Sequence, residues 1–226
     1  MLVLINEKLL IKKRGIMYIP AHFREDDLAT MQALMREYSF ATLVSTTDED
    51  VPIATPLPFL LEPEPAPNGT LKAHMALGNP QWRTFRQDRE VLVLFQGPHA
   101  YISPSWYEET LSVPTWNYAT VHAYGIPRIM EDPATLYTFL KELIHTHEAQ
   151  FADPWPFEQL PSDYVEKMMQ GVVGFSIEIT RLEGKWKMSQ NRTPRERARV
   201  AEELRKSQDP SRAVVGELVL VNPSQK

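Results

Sequence analysis

The stretch that decides the fold is VPTWNYATVHAYG, residues 113–125. From Trp116 to Tyr124 it alternates without a break. Trp116, Tyr118, Thr120, His122 and Tyr124 fall on one side, Asn117, Ala119, Val121 and Ala123 on the other. A period of two is that of a β-strand with one covered face. Working outward, GVVGFSIEITRLEGKWKM (171–188) reads as a second long strand, and VLVLFQG (91–97) has the continuous apolar character of a buried one. FATLVST (40–46) is β-branched and apolar, and Asp48-Glu49-Asp50 turns it back into Pro52 to Leu61. That return run holds Pro52, Pro56 and Pro58, which cannot donate to a ladder, so it belongs at a sheet edge. Asn68-Gly69 closes a long hairpin loop before the strand pattern of Thr70 to Leu77.

Helical signals fall between these runs. Asp26 or Asp27 caps a stripe of Leu28, Met31, Leu34, Met35 and Tyr38. Asp132-Pro133 starts a helix with Leu136, Phe139, Leu140, Leu143 and Ile144 at core spacing. A short helix opens near Pro80, another follows Ser162, and Thr193-Pro194-Arg195-Glu196 is a capping box opening a charged helix. About seven strands with no βαβ rhythm predict a mainly β chain with inserted helices (α+β), folded as a closed or split antiparallel barrel.

Composition narrows the chemistry. The 226 residues include no cysteine, which removes disulfides, thiolate nucleophiles and cysteine-held metals, and fits a reducing, cytoplasmic setting. Residues 110–127 are free of charge but carry Pro114, Asn117, His122, Gly125 and Pro127, too dense a set for a lipid-facing helix. Residues 181–226 hold 11 Lys and Arg against 6 Asp and Glu, net +5, while the rest holds 13 against 23, net −10. A phosphate-binding surface therefore involves the last 46 residues, although a solvated basic helix accounts for the same charges. There is no GxSxG, P-loop, GxGxxG or HExxH, and His145 and His147 point to different helix faces. Neither a metal site nor a catalytic residue is assigned.

What remains is a set of polar-aromatic clusters at predicted strand ends: His74 with Asn79-Pro80-Gln81-Trp82, Gly97-Pro98-His99-Ala100-Tyr101, Pro114-Thr115-Trp116-Asn117-Tyr118, and Lys187-Met188-Ser189-Gln190-Asn191. Aromatic surfaces, amides and a lysine are what a planar heteroaromatic ring plus a phosphate requires. Core packing explains the tryptophans equally well at this point.

MYIPAHF (17–23), FATLVST, HMALGNPQW, VLFQGPHAYISPSWY, VPTWNYATVHAYG and GFSIEITRLEGKWKMSQNR, in that order, resemble the PaiB-like family of FMN-binding negative transcriptional regulators. The likeness runs from Met17 to about Arg199 and rests most on the two long motifs around Pro98 and Trp116. Met188 stands where leucine is expected, a volume-conserving swap.

The resemblance implies an FMN-binding split β-barrel related to pyridoxamine-phosphate oxidases and flavin reductases, a homodimer with FMN at the subunit interface, and no membrane. It implies three parts: residues 1–16 as an N-terminal extension, 17–188 as the flavin-binding barrel, and 189–226 as a basic helical tail packed on it. Site residues follow as Ser45, Thr46, His74, Asn79, Trp116, Asn117, Lys187, Gln190 and Asn191, with Lys187 on the phosphate and Trp116 against the ring. Two functions follow as well. One is a repressor reaching promoter DNA through Arg192, Arg195, Arg197, Arg199, Arg205, Lys206 and Arg212 of the tail. The other is an FMN-dependent oxidoreductase whose regulatory effect is indirect. A haem-binding split barrel is a third reading.

Overall fold

The computed structural model describes residues 17–64, 66–108 and 111–221, so the expected extension, residues 1–16, lies outside it. Eight strands form one antiparallel sheet: β1 (Arg24–Glu25), β2 (Phe40–Thr46), β3 (Pro52–Pro58), β4 (Leu60–Glu62), β5 (Thr70–Ala76), β6 (Val91–Ile102), β7 (Thr115–Ile129) and β8 (Val172–Lys187). Among the described residues five α-helices accompany them: α1 (Leu28–Glu37), α2 (Pro133–Glu148), α3 (Ser162–Met169), α4 (Pro194–Arg205) and α5 (Pro210–Leu220).

The strand order is β3-β2-β6-β7-β8-β5-β4, with β1 added to the free flank of β8 at Gly184 and Lys185. β3 and β4 end the path and adjoin in sequence through Phe59, yet they do not pair. The barrel is therefore split. Its interior takes the inward members of each strand, among them Leu43, Val93, Phe95, Ala119, Val121, Phe175 and Ile177, all fully buried. The alternation read in residues 116–124 is what the structure shows, with Asn117, Ala119, Val121 and Ala123 buried and Trp116, Tyr118, Thr120, His122 and Tyr124 on the outer face. β3 sits at an edge, as its prolines require. Because Pro52, Pro56 and Pro58 pair with β2, their nitrogens occupy the positions turned away from it.

Two strands outrun their sequence signals. β6 continues through Gly97-Pro98 to Ile102, and a register shift between Gln96 and His99 absorbs the interruption. β7 continues past Gly125 after a shift between Tyr124 and Gly125. Helix starts are where the sequence puts them. Asp27 caps α1, Asp132 caps α2, and Thr193 with Glu196 makes both halves of the capping box of α4. Within the expected helical tail, α5 is a second helix beyond the one that the capping box opens. It folds antiparallel to α4 and sends Val215 and Val219, with Val200 and Leu204 of α4, into the main core beside β6. A second apolar cluster of Leu60, Leu136, Phe139 and Leu143 lies outside the barrel, under α2.

Candidate functional site

The open outer face of the sheet carries the site. Cross-strand pairing places Tyr101 beside Trp116, His99 beside Tyr118, Leu94 beside His122 and Leu92 beside Tyr124. On the other flank Lys187, Lys185, Glu183 and Arg181 stand opposite Tyr118, Thr120, His122 and Tyr124. Trp116 is 52% exposed, with the Tyr101 ring edge-on at 5.9 Å and the His99 ring at 6.1 Å. The segment from Met17 to Phe23 crosses this face. Lys185 Nζ donates to the Tyr18 carbonyl at 2.9 Å and lies between the Tyr18 and Tyr118 rings.

At the Trp116 end a cavity of about 220 Å³ opens between Thr115, Asn117, Lys187, Ser189, Asn191 and Arg192, closed by Phe23 and Tyr107. Lys187 Nζ donates to the Thr115 hydroxyl. Asn117 is fully buried, and its Nδ2 donates to Ser189 Oγ at 2.9 Å. Ser189 takes a left-handed φ of 59°, a strained state for a residue with a Cβ. That turn brings β8 round so that Asn191 and Arg192 face the same space as Lys187. The Arg192 guanidinium stacks over Tyr107 at 4.1 Å and reaches Glu196 at 3.9 Å. Burial, and then the neighbouring Lys185 charge, push the Lys187 pKa below its ordinary value. An anion placed here relieves both effects. Two cations, three hydroxyls, two amides and the His22 imidazole, with no carboxylate among the lining residues, fit a phosphate group, and the exposed Trp116 beside them fits a planar ring.

Of the sequence-predicted residues, the structure brings together Trp116, Asn117, Lys187 and Asn191, and adds Thr115, Ser189, Tyr107 and Arg192. Gln190 is not with them. Its amide holds its own turn, accepting from Met188 N at 2.6 Å and donating to Trp186 O at 2.5 Å, and it lines a groove with Trp186, Met188 and Leu218 instead. Ser45 points inward and is buried, bonded to Thr84 at 2.7 Å and to the buried Gln81 amide at 3.2 Å. Asn79 caps the turn 80–84, accepting from Gln81 N and donating to Thr55. Both hold that turn on β2 and β3. Thr46 does lie on the outer face, but beyond the Leu92–Tyr124 end. His74 lies outside the barrel against Phe139, paired with Gly174 at the opposite end of β8 from Lys187.

His74 and His122 share one property. The Nδ1 of each is buried with no hydrogen-bond partner among the described residues. Burial pushes both pKa values below the ordinary histidine value. For His122 the Glu183 carboxylate opposes this, while Arg181 and Lys185 add to it. A folded-state pKa below the unfolded one means that stability is intact above about pH 6.5. It falls as the pH drops and the unfolded chain takes up protons that the folded chain refuses. The urea midpoint is therefore expected to be lower at pH 5.5 than at pH 7.5, and the decline should be shallower in the double variant H74L/H122Q. Equal slopes for the two proteins would exclude these histidines as its source.

Comparison with known proteins adds the family. A family model described as "Putative FMN-binding domain" matches residues 17–181. "Protease synthase and sporulation protein PAI 2" of Bacillus subtilis (strain 168) is 37% identical over 203 residues, 90% of this chain and 96% of that protein. Among solved structures, the flavocytochrome Anf3 from Azotobacter vinelandii superposes with a TM-score of 0.53 at 13% identity, over 73% of this chain and 69% of that one. The FAD and heme binding protein from Mycobacterium smegmatis gives 0.52 at 14% identity, over 73% of each chain. At such identities these two speak for the fold, which is that of the flavin-binding split barrels.

Proposed function

The chain belongs to the FMN-binding domain family, and from that premise we propose that it is a cytoplasmic, repressor-type transcriptional regulator holding FMN between two copies of itself. FMN is the cofactor of the family, and when bound it supplies a redox-active ring and an anionic phosphate. The observation that carries the reading is the cationic cavity around Lys187 at one end of an open aromatic face. Lys187 with Thr115 and Asn191 would hold the phosphate. Asn117 and Ser189 keep the strand end in shape, and Trp116 offers the ring its neighbour.

The dimer is supported by the same face. Phe40, Tyr101 and Trp116 are 70%, 42% and 52% exposed along it, an apolar patch that a second copy would cover. Thr46 lies near the Tyr124 end and Lys187 near the Trp116 end, eight residues away along β7 and so about 26 Å distant. A two-fold axis through the face sets one end of a protomer against the other end of its partner. A flavin lying there would touch both.

The regulatory half rests on likeness to PAI 2, whose name ties that protein to protease synthesis and sporulation. DNA contact is the less direct part. Arg197 is spent on the end of α5, donating to the Val219 and Val221 carbonyls. Arg195 and Arg199 reach Glu108, Arg205 reaches Glu217, Lys206 reaches Glu203, and Arg212 reaches Asp209. These pairs are exposed and screened by solvent, so a DNA phosphate can replace the carboxylate at little cost. Contact of this kind would be weak, phosphate-directed and steeply salt-dependent.

The test is a promoter-fragment titration of the flavin-loaded protein at 50 and 200 mM salt, with its mass measured by light scattering. Removing the tail would strip Val200, Leu204, Val215 and Val219 from the core, so the comparison is the triple variant R195Q/R199Q/K206Q. Saturable binding by a dimer, with a salt slope reduced by about 3 in the variant, is expected. A monomer sinks the interface. Absence of DNA binding together with steady oxidation of a nicotinamide by the purified flavoprotein establishes the oxidoreductase alternative.

A further inference from the structure

Outside the barrel, α2, the connection 149–161 and α3 form a layer over β5 and the first half of β8. Inside that layer is a second cavity, of about 350 Å³, whose walls include Leu143, Trp155, Phe157, Val165, Met169 and His74. It shares no lining residue with the cavity around Lys187.

Four observations bear on what it takes. The lining contains no Lys, Arg, Asp or Glu, so a charged group inside would have no counter-charge to offset its lost hydration. The walls are rich in rings: Phe157 lies 5.8 Å from Tyr137 and 6.2 Å from Trp155, tilted in both cases. The rim keeps apolar surface in water, with Tyr137, Trp155, Tyr164 and Met168 between 39% and 50% exposed. Finally, the polar side chain that β5 contributes, His74, has a buried Nδ1 with no partner among the described residues. A buried polar atom without a partner costs free energy, so its persistence in a wall whose other polar side-chain groups are the Tyr137 and Tyr164 hydroxyls and the Trp155 indole N–H points to a missing partner. Burial keeps the ring neutral, which suits an uncharged partner.

We propose that this cavity is a binding site for an uncharged, one- or two-ring aromatic molecule carrying a single hydroxyl or carbonyl group, with that group paired to the His74 imidazole. The volume lies at the small end of ligand pockets and suits a molecule of that size. The rings of Trp155, Phe157 and Tyr137 give it edge and tilted neighbours, and His74 fixes its orientation. The site is separate from the flavin cavity and stands whether or not the FMN assignment does.

The experiment is calorimetric titration of the full-length, FMN-loaded protein with three probes of one shape: 2-naphthol, naphthalene and naphthalene-2-sulfonate. Saturable 1:1 binding of 2-naphthol is expected, about tenfold weaker binding of naphthalene, and no binding of the sulfonate. In H74F the advantage of 2-naphthol over naphthalene should disappear while both still bind. V165W, which fills the cavity, should abolish binding with FMN affinity unchanged, and L160W serves the same purpose where V165W fails to fold. Absence of saturable heat with 2-naphthol overturns the proposal. So does equal binding of the sulfonate, a naphthol preference that survives H74F, or binding that survives a folded cavity-filling variant.

Discussion

Lys187→Ala is expected to weaken FMN binding by about 1.5–3 kcal/mol, roughly ten- to 150-fold, the range of a hydrogen bond to a charged group. The ammonium lies in a half-buried cavity with the Thr115 hydroxyl as its hydrogen-bond acceptor and Lys185 on the same face. A phosphate entering there meets a cation already desolvated and already crowded by like charge, so its removal costs more than that of a surface lysine. Lys187→Met, which keeps the alkyl stem, should lose as much as the alanine variant. Lys187→Arg should recover only part, because a planar fork does not replace a point charge beside Thr115. Flavin fluorescence titration with thermal denaturation alongside checks it. Unchanged affinity in a folded K187A protein would remove Lys187 from the phosphate site.

Gly125→Ala is expected to cost about 3 kcal/mol of stability, the upper part of the range for overpacking a well-filled core. A Cβ at Gly125 would come within 2.2 Å of the Glu178 carbonyl oxygen and 2.6 Å of Ile177 Cγ2. The first obstacle is backbone of the paired strand and cannot swing aside. Gly125 also sits at the register shift between β7 and β8, where β7 passes from the barrel wall toward the layer under α2. Relief of the clash would require parting the two longest strands. For a chain of this size the melting temperature should fall by about 6–12 °C. A change of less than 2 °C would mean that the bulge can relax.

The parts of the fold visible in the sequence are those fixed by local chemistry. Alternation in residues 116–124 assigned every side chain there to its face, and Asp27, Asp132 and Thr193 marked helix starts that the backbone respects. α5 carries the same signal, Asp209 before Pro210, and was readable on the same grounds. The inward direction of Ser45 was readable too, since it shares parity with Ala41 and Leu43. What no single strand reveals is register. His74 and Lys187 both lie near the ends of predicted strands, and only the pairing of β5 with the first half of β8 shows that the ends are different ones. Thr115 and Ser189 belong to quoted clusters but look like ordinary strand and turn residues until β7 and β8 set them beside Lys187. Gln190 stands apart from Lys187 for another reason, because its amide is used by the turn it belongs to.

The proline edge has a consequence for the protein at high concentration. Of the outward donor positions on β3, at residues 52, 54, 56 and 58, only Ala54 has an N–H to give. An incoming strand from another molecule would find acceptors but almost no donors, so β3 is a poor template for ladder growth. The exposed margin of the sheet thus resists the indiscriminate pairing that seeds fibres. Substituting Pro56 and Pro58 with threonine would leave the site untouched and restore two of those donors. Such a protein should precipitate from concentrated solution with a thioflavin-positive signal, a failure of colloidal behaviour with no loss of folding.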